Sequence, residues 1–141
     1  MHTFHLAFPV NDLSKARSFY IDVLGCSVGR SAATWIDFDF YGHQISAHLN
    51  PQGSSPAIKN PVDGDQVPIP HFGLIVDQTT WQKLIERIRA NGFTFLIEPR
   101  IRFEGKAGEQ GTFFLHDPSG NALEFKYFQD KHNIFASDDN N

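Results

Sequence analysis

A duplication constrains this chain more than any other feature. Residues His5-Leu6-Ala7-Phe8-Pro9-Val10 resemble His71-Phe72-Gly73-Leu74-Ile75-Val76, 66 positions later, with His meeting His. A self-similarity of that period means one supersecondary unit used twice. Each segment runs into a stretch of helical periodicity. The first sets Leu13, Ala16, Phe19, Tyr20, Val23 and Leu24 on one face behind Asp12 as N-cap. The second sets Trp81, Leu84, Ile85 and Ile88 on one face, with Thr79 or Thr80 as cap. Both patterns stop at a glycine, Gly25 and Gly92, a common helix C-terminal signal. Three strand-like segments follow each helix. The first set is predicted over 26–31, 34–40 and 43–50, the second over 93–103, 111–117 and 122–128. The pattern in each half is therefore strand, helix, strand, strand, strand, which is an α+β chain of two βαβββ modules.

The expected organisation is a single domain over 1–130. Its modules lie at about 1–50 and 69–130, joined by a connector over 51–68 rich in Pro, Gly and Ser. Residues 131–141 form a polar tail. The glycine-bearing stretch 104–110 fits a lid and an ordinary surface loop equally well. At 141 residues the chain is long enough to bury a core without disulfides, and its one cysteine, Cys26, cannot form one internally. Lys and Arg number 12 against 16 Asp and Glu, a net charge of -4 with no basic block, which excludes a typical nucleic-acid binder. No apolar run approaches the roughly 18 residues of a membrane span. Met1-His2-Thr3-Phe4-His5 has no basic region leading into an apolar stretch, so a cytoplasmic protein is expected. The 14 Phe and 7 His suggest an aromatic-lined pocket or a metal site.

Strand side chains alternate between faces, and this parity sorts the polar residues. Leu6, Phe8 and Val10 share the face that packs on a helix, and His5 and Ala7 share the other. In the second copy His71 and Gly73 take that other face, and the small size of Ala7 and Gly73 leaves room beside each imidazole for something to bind. The last strand repeats the logic. Leu123, Phe125 and Tyr127 face inward, and Glu124 stands on the opposite side with Ala122 and Lys126. A carboxylate buried among large apolar residues is costly unless paired. Aligning the halves at Gly42 and Gly120 sets Ser46 against Glu124 and His48 against Lys126. His5, His71 and Glu124 are thus the candidate metal ligands. Two imidazoles and one carboxylate suit a divalent cation with open positions, Fe(II) first, with Mn(II) or Zn(II) as alternatives.

These residues resemble the vicinal oxygen chelate superfamily, which holds glyoxalase I, bleomycin-resistance proteins and type I extradiol dioxygenases. The resemblance spans roughly residues 4–128. It rests on the paired His5 and His71 strands, on Asp22-Val23-Leu24-Gly25, and on Asp117-Pro118-Ser119-Gly120-Asn121 leading into Ala122-Leu123-Glu124-Phe125. It implies a cupped mixed sheet built by the two modules, the glyoxalase/bleomycin resistance/dioxygenase fold, around a metal held by His5, His71 and Glu124. Position 46 is the fourth family ligand position and carries Ser here, with His48 on the same face. A missing fourth ligand is closest to single-unit members like the extradiol dioxygenases. The implied function is metal-dependent chemistry on a small, vicinal-oxygen, aromatic-type substrate, in first place Fe(II)- and O₂-dependent ring cleavage. The alternatives are a glyoxalase-type lyase or isomerase and a non-catalytic antibiotic-binding protein. Dioxygenases of this type carry a Tyr about ten residues before the ligand Glu, whereas position 114 is Phe. His48 and His43 are the expected proton-transfer residues, and Gln44, Ser46 and Phe114 the expected substrate contacts. Relatives commonly dimerise, and uncovered sheet edges favour a homodimer.

Overall fold

The computed structural model describes residues 2–52, 58–62 and 64–137 of the chain. The first strand, β1 (His5–Val10), leads into α1 (Leu13–Ser18), which continues as a π-helical turn over Phe19–Val23. Strands β2 (Ser27–Ala32), β3 (Trp35–Phe40) and β4 (His43–Leu49) follow. The second copy consists of β7 (His71–Ile75), α2 (Gln78–Ala90), β8 (Ile97–Arg102), β9 (Gln110–His116) and β10 (Ala122–Phe128). Each copy makes a mixed four-stranded sheet, in the orders β1-β4-β3-β2 and β7-β10-β9-β8. In both, the first and last strands pair in parallel. The registers repeat as well. His5 faces Gln44 and Ala7 faces Ser46, while His71 faces Ala122 and Gly73 faces Glu124. Ser46 and Glu124 therefore occupy equivalent places, as the alignment at the two glycines predicts.

Three local differences from the sequence expectation have plain causes. The stretch read as a connector contains a hairpin, β5 (Ile58–Val62) and β6 (Asp65–Ile69). Prolines in both of its strands, Pro61 and Pro68, mask the strand pattern. The α2 cap is Asp77, not Thr79 or Thr80. Its carboxylate accepts the Thr80 N–H at 2.7 Å, which satisfies one of the unpaired donors of the first turn. Strand β8 starts at Ile97 rather than at 93, because Phe95 turns in to pack edge-on against Phe113. The expected cap at Asp12 is present, accepting from the Lys15 N–H at 2.9 Å. Among the described residues no helix is long and apolar enough to cross a membrane.

The chain forms two compact units, Met1–Ile58 with His116–Asn121, and Lys59–Leu115 with Ala122–Asn141. In the first, Tyr20 is fully buried and stacks on Phe38 at 5.1 Å between ring centres. Its hydroxyl donates to Asp117 Oδ2 at 2.8 Å. Asp117 is itself buried and accepts three further bonds, from the Ser119 and Asn121 backbones and the Asn121 side-chain amide, each at 2.9 Å. Asp117 of the Asp-Pro-Ser-Gly-Asn motif is thus a buried structural clamp for this unit. In the second unit Trp81 of α2 donates to the Phe125 carbonyl at 3.1 Å and packs on Phe113 and Tyr127. Tyr127 donates to the buried Glu109 at 2.9 Å, and Glu109 also accepts the Gly105 N–H at 2.9 Å. That carboxylate pins the 104–110 loop to the core, which favours the plain surface loop over the lid.

Two predictions follow from these buried phenols. Asp117→Ala leaves the Tyr20 hydroxyl without an acceptor and loses more than about 2 kcal/mol of stability, measured by urea unfolding. A loss no larger than that of an exposed Asp→Ala change contradicts the clamp. Burial, then the bond to Glu109, pushes the Tyr127 phenol up to about 12, and burial and Asp117 raise Tyr20 well above its ordinary 10.0. Raised folded values favour the neutral phenol in the native state. Their contribution is complete below about pH 10 and is lost as pH rises through the folded values. The urea midpoint should hold steady from neutral pH to about pH 10 and then fall, with phenolate absorbance appearing together with unfolding. Phenolate absorbance from both residues at pH 10 in folded protein would contradict this.

Candidate functional site

Each module carries a polar site on the sheet face opposite its helix. In the second unit that face bears a cavity of about 290 Å³, whose lining includes His71, Glu124, Thr112, Phe114 and Arg100. His71 Nε2 lies 3.2 Å from Glu124 Oε1, with side chains 29% and 15% exposed. His71 Nδ1 lies 2.8 Å from the Pro68 carbonyl oxygen. A carbonyl only accepts, so Nδ1 carries the proton and donates. In the neutral ring Nε2 then bears a lone pair aimed at a carboxylate oxygen. Two such acceptors at that distance repel unless a proton or a cation sits with them. The other carboxylate oxygen, Oε2, accepts from Thr112 Oγ1 at 2.6 Å, which fixes the rotamer. Gly73 faces Glu124 across the two strands, and a Cβ there would overlap the Glu124 carbonyl. The small residue beside His71 is therefore required by the close approach of β7 to β10, not by space for a ligand.

The first unit repeats this scheme with its own residues. A groove of about 580 Å³ is lined by His5, Asp37, His43, Gln44, Ser46 and His48 among others. His5 Nδ1 lies 2.8 Å from Gln44 Oε1. The Gln44 amide nitrogen points to Asp37 Oδ2 at 3.4 Å, which places the oxygen end of the amide towards His5. His5 is thus also held with its proton on Nδ1 and its lone pair on Nε2. Asp37 accepts from Ser46 Oγ at 2.6 Å. The acid–hydroxyl pair on the last two strands occurs in both modules with its partners exchanged. It is Asp37 on β3 with Ser46 on β4, and Thr112 on β9 with Glu124 on β10.

The expected site residues separate accordingly. His71 and Glu124 are in direct contact. His5 shares its groove with Gln44, Ser46, His43 and His48. Among the described residues no group of three or more His, Cys, Asp or Glu side chains is disposed to hold a metal ion. His43 Nδ1 accepts the Phe4 backbone N–H at 3.1 Å, so its neutral ring carries the proton on Nε2. The His48 ring is exposed and has no hydrogen-bond partner among the described residues. Phe114 is buried edge-on against His71, 5.0 Å between ring centres. Ser46 is buried as well. Sequence reasoning missed Asp37, Thr112, the Pro68 carbonyl and Arg100. The alternation of Trp35-Ile36-Asp37-Phe38-Asp39-Phe40 does put Asp37 on the polar face, whereas a backbone carbonyl leaves no trace in a sequence.

The His71–Glu124 pair brings together an imidazole and a carboxylate, donor types that suit a divalent cation. An imidazole whose Nδ1–H is fixed by a carbonyl, and whose Nε2 meets a carboxylate oriented by a hydroxyl, is the usual supporting arrangement of a metal-ligating His and Glu.

Comparison with known proteins agrees with this architecture. Residues 2–125 match the family model of the Glyoxalase/Bleomycin resistance protein/Dioxygenase superfamily. A glyoxalase/bleomycin resistance protein/dioxygenase from Alicyclobacillus acidocaldarius is 35% identical, with 95% of this chain and 96% of that chain covered and a TM-score of 0.76. The fosfomycin resistance protein FosX from Listeria monocytogenes shares the fold at 16% identity and a TM-score of 0.71, over 95% of this chain and 98% of its own. Lactoylglutathione lyase from Agrobacterium tumefaciens does so at 18% and 0.64, over 89% and 92%. The duplicated βαβββ sheets and the family match together place the chain in the Glyoxalase/Bleomycin resistance protein/Dioxygenase superfamily.

Proposed function

We propose that the protein is a metal-dependent enzyme acting on a small molecule with two adjacent oxygen atoms, with His71 and Glu124 of the second unit and His5 of the first as its candidate divalent-cation ligands. One observation carries this reading. Both histidines of the duplicated position donate Nδ1–H to a carbonyl oxygen and keep Nε2 for another partner. Members of this superfamily commonly bind divalent metals. A cation held there supplies Lewis acidity and a template for the two substrate oxygens. The chain's own residues do the rest. Asp37 orients Gln44, and Gln44 orients His5. Thr112 holds Glu124. His48, with its ring uncommitted, takes and returns the proton, and His43 Nε2–H donates a hydrogen bond in the same groove.

Among reactions, a lyase or isomerase of glyoxalase type fits these residues best. Phe114 offers no ionisable hydroxyl beside His71. Asp37 places a carboxylate 2.6 Å from Ser46, the position where such members carry one. The second reading is extradiol ring cleavage with Fe(II) and O₂, favoured by a set of two histidines and one carboxylate. The test is metal titration of tag-free protein with Fe(II), Mn(II) and Zn(II), followed by two assays on the loaded protein. These are O₂ uptake on a panel of catechols and solvent-proton exchange into α-hydroxycarbonyl or hemithioacetal substrates. His71→Ala and Glu124→Ala should weaken metal binding by more than about 100-fold, and Gln44→Ala by about 10- to 100-fold. Unchanged affinity in His71→Ala and Glu124→Ala overturns the metal site. O₂-dependent turnover without proton exchange replaces the first reaction by the second.

We also propose a homodimer. Strand β2 ends its sheet and is exposed at every residue, an edge of the kind that pairs with another chain. Light scattering at micromolar concentration should give twice the chain mass, and a monomer at all concentrations contradicts it.

A further inference from the structure

We infer that the substrate carries an anionic oxygen group, phosphonate, phosphate or carboxylate, and that Arg100 binds it with Arg102 and Lys126 at its sides. This rests on the proposed site of His71 and Glu124 and names the other end of the molecule that reaches it.

Arg100 and Arg102 alternate with the exposed Ile101 on β8, so both arginines take the face of the sheet that carries His71 and Glu124. Arg100 is in register with Thr112, and Arg102 with Gln110. Thr112 in turn donates to Glu124. A polar row therefore crosses the sheet from His71 on β7 through Glu124 on β10 and Thr112 on β9 to Arg100 on β8. Strands are about 4.8 Å apart, so Glu124 and Arg100 start from backbones about 10 Å apart. A small molecule that reaches His71 and Glu124 at one end meets Arg100 at the other.

Charge and hydrogen bonding point the same way. The chain as a whole carries a net charge of -4. Among the described residues the charged side chains lining this cavity are nevertheless Arg100, Arg102 and Lys126 with Asp65 and Glu124. Lys126 Nζ already lies 3.9 Å from Glu124 Oε1. Arg100 Nη2 lies 2.6 Å from Asp65 Oδ2 on the β5–β6 hairpin. Its Nε is buried and has no hydrogen-bond partner among the described residues. The side chain as a whole is 39% exposed and lines the cavity, and guanidinium is the side chain best shaped for a planar or tetrahedral oxyanion. Asp65 then competes with the substrate for Arg100.

That competition supplies the test. Metal-free, full-length protein is titrated calorimetrically at constant ionic strength with inorganic phosphate, methylphosphonate and acetate. The variants are R100Q, D65N and E124Q. R100Q should bind the preferred oxyanion at least about tenfold more weakly, the loss of one charge-assisted hydrogen bond. D65N should bind it more tightly, because the guanidinium is released. Arg100 serving only to hold the hairpin predicts no oxyanion binding, or the same direction of change in both variants, and either result overturns the inference. E124Q should lose metal uptake and keep oxyanion binding. Should wild-type protein take up no metal yet show the opposed effects of R100Q and D65N, the anion site stands and the metal reading falls. The preference among the three probes identifies the group.

Discussion

The parallel pairing of first and last strands within each module is the constraint from which the sites derive. The helix between them crosses one face of the sheet, the two intervening strands pair on beyond the last one, and apolar side chains of α1 and α2 cover that face. The opposite face is left to polar residues. Parallel register then fixes which of them meet. His5 sits beside Gln44 because β1 and β4 are in register, and Gly73 sits beside Glu124 because β7 and β10 are. A one-residue slip would turn every one of these side chains to the helix side. The buried Phe113, Leu123, Phe125 and Tyr127 on that side make such a slip costly.

Within this frame the two histidines are held alike by unlike groups. His71 relies on a backbone carbonyl from the end of the β5–β6 hairpin, and His5 on a side-chain amide steadied by Asp37. The duplication has thus preserved the tautomer while exchanging the means. The acid and hydroxyl on the last two strands have likewise changed places, so that the carboxylate meets the imidazole directly in one module only. A hydrogen bond to one ring nitrogen decides what the other can do. The chemistry of the site depends on that choice more than on the identity of the histidines alone.

The strand and helix order was legible because period-2 and period-3.6 patterns occur twice, each copy checking the other. Glu124 stood out as a charge among Leu123, Phe125 and Tyr127, and His5 and His71 as a repeated polar residue on an otherwise apolar pattern. The helix cap at Asp77 was ambiguous because three capping-competent side chains, Asp77, Thr79 and Thr80, fall within four positions. The β5–β6 hairpin was hidden by its prolines. The size of Gly73 suggested open space, yet its reason is backbone proximity, which depends on tertiary register. The Asp117 motif carried the family resemblance strongly, and its work is structural, because it satisfies Tyr20 rather than a ligand. Arg100 gave no signal, since an alternating Arg-Ile-Arg strand is common on solvated edges.

The central claim is that both rings keep a proton on Nδ1 and turn Nε2 towards the place of a cation. Nitrogen-15 correlation spectra of labelled, metal-free protein at mildly alkaline pH measure it directly. Protonated Nδ1 is expected for both His5 and His71 and unprotonated Nε2 for His5, with both Nε2 resonances moving when Zn(II) is added. Unprotonated Nδ1 in either ring, or Nε2 resonances indifferent to Zn(II), would contradict it.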